Sequence, residues 1–173
     1  MRPVEPKENH ALFILVAFDK LLSTNFQSCK NEVVRMTPFT FNTTRSVRFG
    51  AGLISQLGAM VHSEISTRVL LVTDPGMMAT GLVDKVQAGL IEAGVVVSVF
   101  SQVAADPPEA IILAATEAVL LSDAEAVIGF GGGSSLDVAK LAAVLATGSQ
   151  PLSELYGVGN VHSARLPLIL IPT

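Results

Sequence analysis

Residues 124–146 read AEAVIGFGGGSSLDVAKLAAVLA, and the reading of this stretch decides the fold. Ala126, Val127, Ile128, Gly129 and Phe130 form a short, partly β-branched apolar run, the kind that builds a strand buried on both faces of a parallel sheet. The run breaks at Gly131, Gly132 and Gly133, and a helical pattern expected over 135–147 follows. Glycine permits left-handed backbone and lets a ligand approach the main chain, because no Cβ intervenes. Ser134 or Ser135 can cap the new helix, whose first N–H groups lack intrahelical acceptors and lie at the positive end of the dipole. Strand, glycine corner and helix start together offer amides to an anion, most often a phosphate or pyrophosphate. A plain tight turn with a capped helix would use the same elements, but three successive glycines are costly for that alone.

Two familiar phosphate motifs do not fit. No Gly-Lys-Ser/Thr closes the run as in a P-loop, and Lys140 sits a full turn inside the helical pattern. The dinucleotide fingerprint G-x-G-x-x-G fails because Ser134 stands where the third glycine belongs. Glu154, the nearest acid about twenty positions on, falls in a loop-like stretch. The cradle belongs to another lineage.

Outward from this corner, apolar runs and helical patterns alternate. Residues 68–73 (RVLLVT) read as a buried strand ending at Asp74, and Pro75 and Gly76 punctuate it. Helical spacing runs over 78–93 through Leu82, Val83, Val86, Leu90 and Ile91, with Gly94 at the place of a helix-terminating glycine. A strand is expected over 95–100, and Asp106, Pro107, Pro108 and Glu109 have the form of a helix start, Asp106 as its N-cap. A loop with Gly148, Pro151 and Tyr156 precedes the final strand, 166–172 (LPLILIP), stopped at Thr173. Upstream, a helical period covers 53–63, and the alternation in 39–41 and 46–49 around Asn42, Thr43 and Thr44 suggests a small β-hairpin. Such βαβ alternation specifies an α/β fold with a doubly wound, mostly parallel sheet. In such sheets ligands bind beyond the carboxyl ends of the strands, where Asp74, the glycine corner and Thr173 all fall.

Composition narrows the function. Half of the 173 residues are hydrophobic and only 15% are charged, against about 25% in ordinary soluble domains. No apolar run approaches the ~20 residues that span a bilayer, so no membrane role is expected. A net charge of −4 with 11 Lys and Arg provides no basic stripe for nucleic acid. Cys29 is a lone cysteine, which suits a reducing, cytoplasmic setting. His10, His62 and His162 have no metal-ligand spacing and read as surface or structural residues.

The sequence Gly131-Gly132-Gly133-Ser134-x-x-Asp137-x-Ala139-Lys140 resembles the GGGSxxDxAK signature of the iron-containing (group III) alcohol dehydrogenase family. Further stretches are similar to that family in the expected order: Arg48 to Gly52, Leu70 to Gly76, Asp106-Pro107-Pro108 and Ile171-Pro172-Thr173. The resemblance covers about residues 37–173 and implies a Rossmann-like domain of the dehydroquinate synthase-like type that binds NAD. It also implies the reaction alcohol + NAD⁺ to aldehyde or ketone + NADH, with a small alcohol or aldehyde as substrate. Homo-oligomer formation is left open. In the family, iron or sometimes zinc is held by one Asp and three His of a helical C-terminal domain. The expectation is therefore a fragment that stops before the metal site, inactive alone, with an apolar face left where that domain docks. Residues 1–36 do not resemble the family and read as an upstream extension of the frame, a foreign appendage or a targeting segment. A glycerol dehydrogenase or dehydroquinate synthase-like fragment, or a non-enzymatic nucleotide-binding module, stays open as an alternative.

The candidate cofactor residues are Asp74, Asp106, Gly131, Gly132, Gly133, Ser134, Ser135, Asp137 and Thr173. A carboxylate at a strand end can accept from both hydroxyls of an adenosine ribose and repels a 2′-phosphate, so Asp74 favours NAD over NADP; it can equally cap the following turn. Asp137 is expected in the first helical turn, with an i,i+3 ion pair to Lys140 available, and the resemblance puts this acid near the nicotinamide. Asp106 stands where many family members have Asn, and an ionised acid cannot donate a hydrogen bond. Thr173 matches the first Thr of the family's PTTAGTGSE stretch. No catalytic or metal-ligating residue is assigned.

Overall fold

Two of the apolar runs become the centre of a four-stranded sheet in the computed structural model, which describes residues 46–173. Strand β1 (Arg68–Val72) is buried after its first residue, and every residue of β3 (Ala126–Gly131) is buried. They pair in parallel, Leu71 opposite Ile128, and are flanked by β2 (Val96–Phe100) beside β1 and β4 (Leu168–Pro172) beside β3. The order β2-β1-β3-β4 is all parallel, so every strand ends on the same edge. The chain leaves β1 toward β2 on one side and then crosses to β3 on the other. The point where the winding reverses lies between β1 and β3.

Helices cover both faces, as the doubly wound expectation requires. Helices α1 (Leu57–Glu64) and α3 (Leu82–Glu92) pack Leu57, Val61, Val83 and Leu90 against Val69, Leu71 and Ile128. Helices α4 (Glu109–Leu121) and α5 (Gly133–Leu145) pack Ile112, Ala115, Val138 and Ala142 against Leu70, Val72 and Val127. Neighbouring residues of one strand thus face opposite layers, which is why the central runs are apolar throughout rather than alternating. Exposed apolar side chains are distributed over α4 (Leu120, Leu121), the edge strand β2 (Val96) and the loop before β4 (Val158).

Several local expectations change. The helix expected over 78–93 is two: α2 (Pro75–Ala79) and α3. Gly81 separates them with φ 71°, and the Thr80 hydroxyl donates to the Met77 carbonyl while accepting from the Leu82 amide. Gly94 does end α3 as expected, with φ 83° and the Val95 amide reaching back to the Leu90 carbonyl. Asp106 is not the N-cap of α4: Pro108 holds that place, and Asp106 lies further back with φ 46°. Neither Ser134 nor Ser135 caps α5, because the helix starts two residues earlier than expected and its N-cap is Gly132. That earlier start moves Asp137 beyond the first turn.

The chain divides into two units, Met1–Phe49 and Gly50–Thr173. In the first, residues 46–49 are exposed and carry no strand, so that arm of the expected hairpin does not form. Its other arm, 39–41, and the whole 1–36 extension lie outside the described residues.

Candidate cofactor site

The site is built where β1 and β3 end. Thr73 follows β1 as a polar residue in an apolar setting and is fully buried. Its hydroxyl donates to the Phe130 carbonyl at 2.8 Å, and its amide donates to the Phe100 carbonyl at 2.8 Å. One residue therefore ties the ends of β2, β1 and β3 together. Sequence reasoning passed over it, although a threonine closing the run RVLLV is a visible signal.

Asp74 comes next, with extended backbone, and caps α2: its Oδ1 accepts from the Met77 amide at 3.0 Å. Pro75 at the first helical position suits that start. The other oxygen, Oδ2, accepts from the Ser135 hydroxyl of α5 at 2.9 Å. The turn-capping role weighed from sequence is thus real, and the carboxylate also reaches across to the helix that leaves β3. A carboxylate has about four acceptor positions, so roughly two stay open to a ligand.

The three glycines divide into two kinds. Gly131 has φ 144°, and a Cβ on it would stand 2.9 Å from Asp74 Oδ2 and 3.0 Å from Ser135 Oγ; the protein's own packing requires glycine here. Gly132 and Gly133 would carry a Cβ into open space. Neither has a positive φ, so packing and backbone leave both free to be larger residues. Their amides, with those of Ser134 and Ser135, donate to no protein oxygen among the described residues. Gly132 and Gly133 are exposed and Ser134 is half-buried, at the positive end of a 13-residue helix. The arrangement can hold an anionic group against the backbone, with an acid alongside to accept from hydroxyls.

Of the other candidates, Thr173 joins this rim. Its amide donates to the Gly131 carbonyl at 3.2 Å, and its hydroxyl lies 3.5 Å from Met77 Sδ. Asp137 is turned to solvent and paired with Lys140 Nζ at 2.8 Å, the i,i+3 pair anticipated from spacing. With half or more of each side chain exposed, that pair contributes about 1 kcal/mol at most. Asp106 is exposed in the loop after β2, and no hydrogen bond joins it to Asp74 or to the glycine corner.

The opposite edge of the sheet has a different character. A shallow depression there is lined by Arg68, Val119, Leu120, Asp123 and their neighbours. Arg68 is occupied by Glu125 at 2.7 Å. Hydrogen bonds from Ser66 and from Arg68 hold the Glu125 carboxyl below the usual range on this exposed surface. Among the described residues, no three His, Cys, Asp or Glu side chains gather as a metal site would need. No helix among them is long and apolar enough to cross a membrane.

A family model described as iron-containing alcohol dehydrogenase matches residues 44–173. The chain is 30% identical over 135 residues to sulfoacetaldehyde reductase of Bilophila wadsworthia, spanning 78% of this chain and 35% of that protein. It is 38% identical over 127 residues to long-chain-alcohol dehydrogenase 1 of Geobacillus thermodenitrificans, spanning 72% of this chain and 32% of that one. Among solved structures it is similar to NADH-dependent butanol dehydrogenase A from Thermotoga maritima, with TM-score 0.71 and 27% identity over 80% of this chain and 35% of that one. The chain spans about a third of the length of the curated relatives it matches.

Proposed function

This chain belongs to the iron-containing alcohol dehydrogenase family, and from that premise we infer that its unit Gly50–Thr173 is the NAD-holding domain. The observation that carries the reading is the row of unpaired amides at Gly132, Gly133 and Ser134, beside a carboxylate with acceptor positions to spare. These amides and the α5 dipole hold the diphosphate, whose approach the missing side chains of Gly132 and Gly133 permit. Asp74 accepts from the adenosine ribose hydroxyls and disfavours a 2′-phosphate, which selects NAD. Thr173 borders the same rim with a hydroxyl. When bound, NAD⁺ supplies the hydride acceptor for oxidation of a small alcohol, giving an aldehyde or ketone, NADH and a proton.

The reaction also needs the alcohol oxygen polarised by a metal or an acid. The described residues do not fit the family's metal, since no ligand set gathers among them. No step is assigned to iron or zinc on these residues. Their part in the chemistry is to bind and orient the cofactor.

Calorimetric titration of the chain with NAD⁺, ADP-ribose and NADP⁺ tests this. Saturable binding of NAD⁺ and ADP-ribose, weaker for NADP⁺ and abolished by Gly132→Asp, is the expected result. Failure of ADP-ribose to bind at millimolar concentration would overturn the reading.

A further inference from the structure

Buried polar side chains are few among the described residues: Thr73, Thr116 and Ser135. Thr116 merely bonds back along its own helix, to the Ile112 carbonyl. The other hydroxyls each tie separate elements, and both sit at the reversal point between β1 and β3. Thr73 bonds main chain, whereas Ser135, 1% exposed, bonds the Asp74 carboxylate at the rim.

The geometry gives that bond a definite consequence. Held only by the Met77 amide at Oδ1, the Asp74 carboxylate could still swing about that single point. The Ser135 hydroxyl at Oδ2 supplies a second fixed point, and two points set the carboxylate plane. The open positions on its oxygens then have fixed directions. Gly131 makes room for the pair, since its Cβ would intrude on both Asp74 Oδ2 and Ser135 Oγ. The Ser135 side chain turns inward, so it does not meet a ligand itself.

We propose that Ser135 is a positioning residue: it fixes the Asp74 carboxylate for the two hydroxyls of an adenosine ribose and so sets discrimination against a 2′-phosphate. The proposal rests on the nucleotide reading of this site. It predicts that the hydroxyl of Ser135 matters to ligand choice only through Asp74.

The test is a double-mutant cycle in the full chain, with Ser135→Ala, Asp74→Ala and the double variant. Each is titrated with ADP-ribose and with 2′-phospho-ADP-ribose, while circular dichroism follows thermal unfolding. Ser135→Ala should weaken ADP-ribose about tenfold, the scale of one hydrogen bond to a charged group. It should leave 2′-phospho-ADP-ribose within about twofold, so the ratio of the two affinities falls. In the Asp74→Ala background the same substitution should change neither ligand. Ser135→Cys, close in volume but a weak donor, should reproduce the result and covers the case in which Ser135→Ala fails to fold. A lower unfolding temperature with an unchanged affinity ratio would make the bond purely structural and overturn the proposal. So would a tenfold loss that persists without Asp74. If the unaltered chain binds neither ligand, the nucleotide reading itself fails and takes this proposal with it.

Discussion

Gly58 of α1 lies against the backbone of Gly89 in α3, so close that a Cβ on Gly58 would overlap the Gly89 carbonyl oxygen and stand 2.9 Å from the Ala93 methyl. The obstacle is main chain, which cannot rotate away. A Cβ on Gly89, by contrast, meets nothing within 4 Å. Gly58→Ala should therefore destabilise the domain by about 2–3 kcal/mol through forced separation of the two helices. Gly89→Ala should be neutral or stabilising by up to about 1 kcal/mol, from helix propensity. Urea unfolding of both variants checks the contrast, and equal effects would contradict the packing described.

The glycine corner should divide the same way. Gly131→Ala imposes a side chain where φ is 144° and where Asp74 and Ser135 already stand, so a loss of at least about 2 kcal/mol is expected. Gly132→Ala should leave stability within about 0.5 kcal/mol, because its Cβ enters open space. It should nonetheless weaken ADP-ribose about tenfold by blocking approach to the amides. Thermal melts and titrations on the two variants separate structure from binding. A Gly132→Ala chain that binds normally would move the phosphate away from this corner.

Thr73→Val removes the buried donor to the Phe130 carbonyl and should cost about 1–2 kcal/mol. Hydrogen exchange should rise first at the carboxyl ends of β1 and β3. Uniform exchange across the sheet would mean that Thr73 does not act as the local tie.

Tyr156 is the chain's single tyrosine, with no tryptophan present, so its phenol can be titrated directly by ultraviolet absorbance. The hydrogen bond it donates to Glu109 Oε1, at 2.6 Å, raises its pKa above the ordinary value of about 10, helped by slight burial and by the Glu109 charge. Because the folded-state value is raised, any stabilisation tied to the neutral phenol is present below about pH 10 and is lost as pH rises through the raised value. Glu109→Ala should bring the titration midpoint down to the ordinary range. A midpoint unmoved by that substitution would mean the bond does not persist in solution.

The arrangement of strands was legible in the sequence because burial on two faces leaves an unambiguous mark. RVLLV and AVIGF can only be so apolar if both sides of the strand are covered, and the helical periods between them then set the winding. The break between α2 and α3 was harder to read. The helical period continues across Thr80 and Gly81, and only the left-handed turn at Gly81 shows where the chain stops and restarts. Asp106 as an N-cap failed for a related reason: two prolines follow it, and which of them begins the helix is a matter of backbone geometry that residue type does not fix.

For the site, the chain order alone brought Asp74, the glycines and Thr173 to one rim, since parallel strands must all end on the same edge. What it could not decide was how the side chains there divide the work. Ser134 and Ser135 are equivalent as letters, yet only the latter turns inward to Asp74, and of three identical glycines only Gly131 is required by the packing of the protein itself. Periodicity acts along one segment and so is written in the sequence. The contact between Asp74 and Ser135 joins residues 61 positions apart and exists only once β1 and β3 lie side by side.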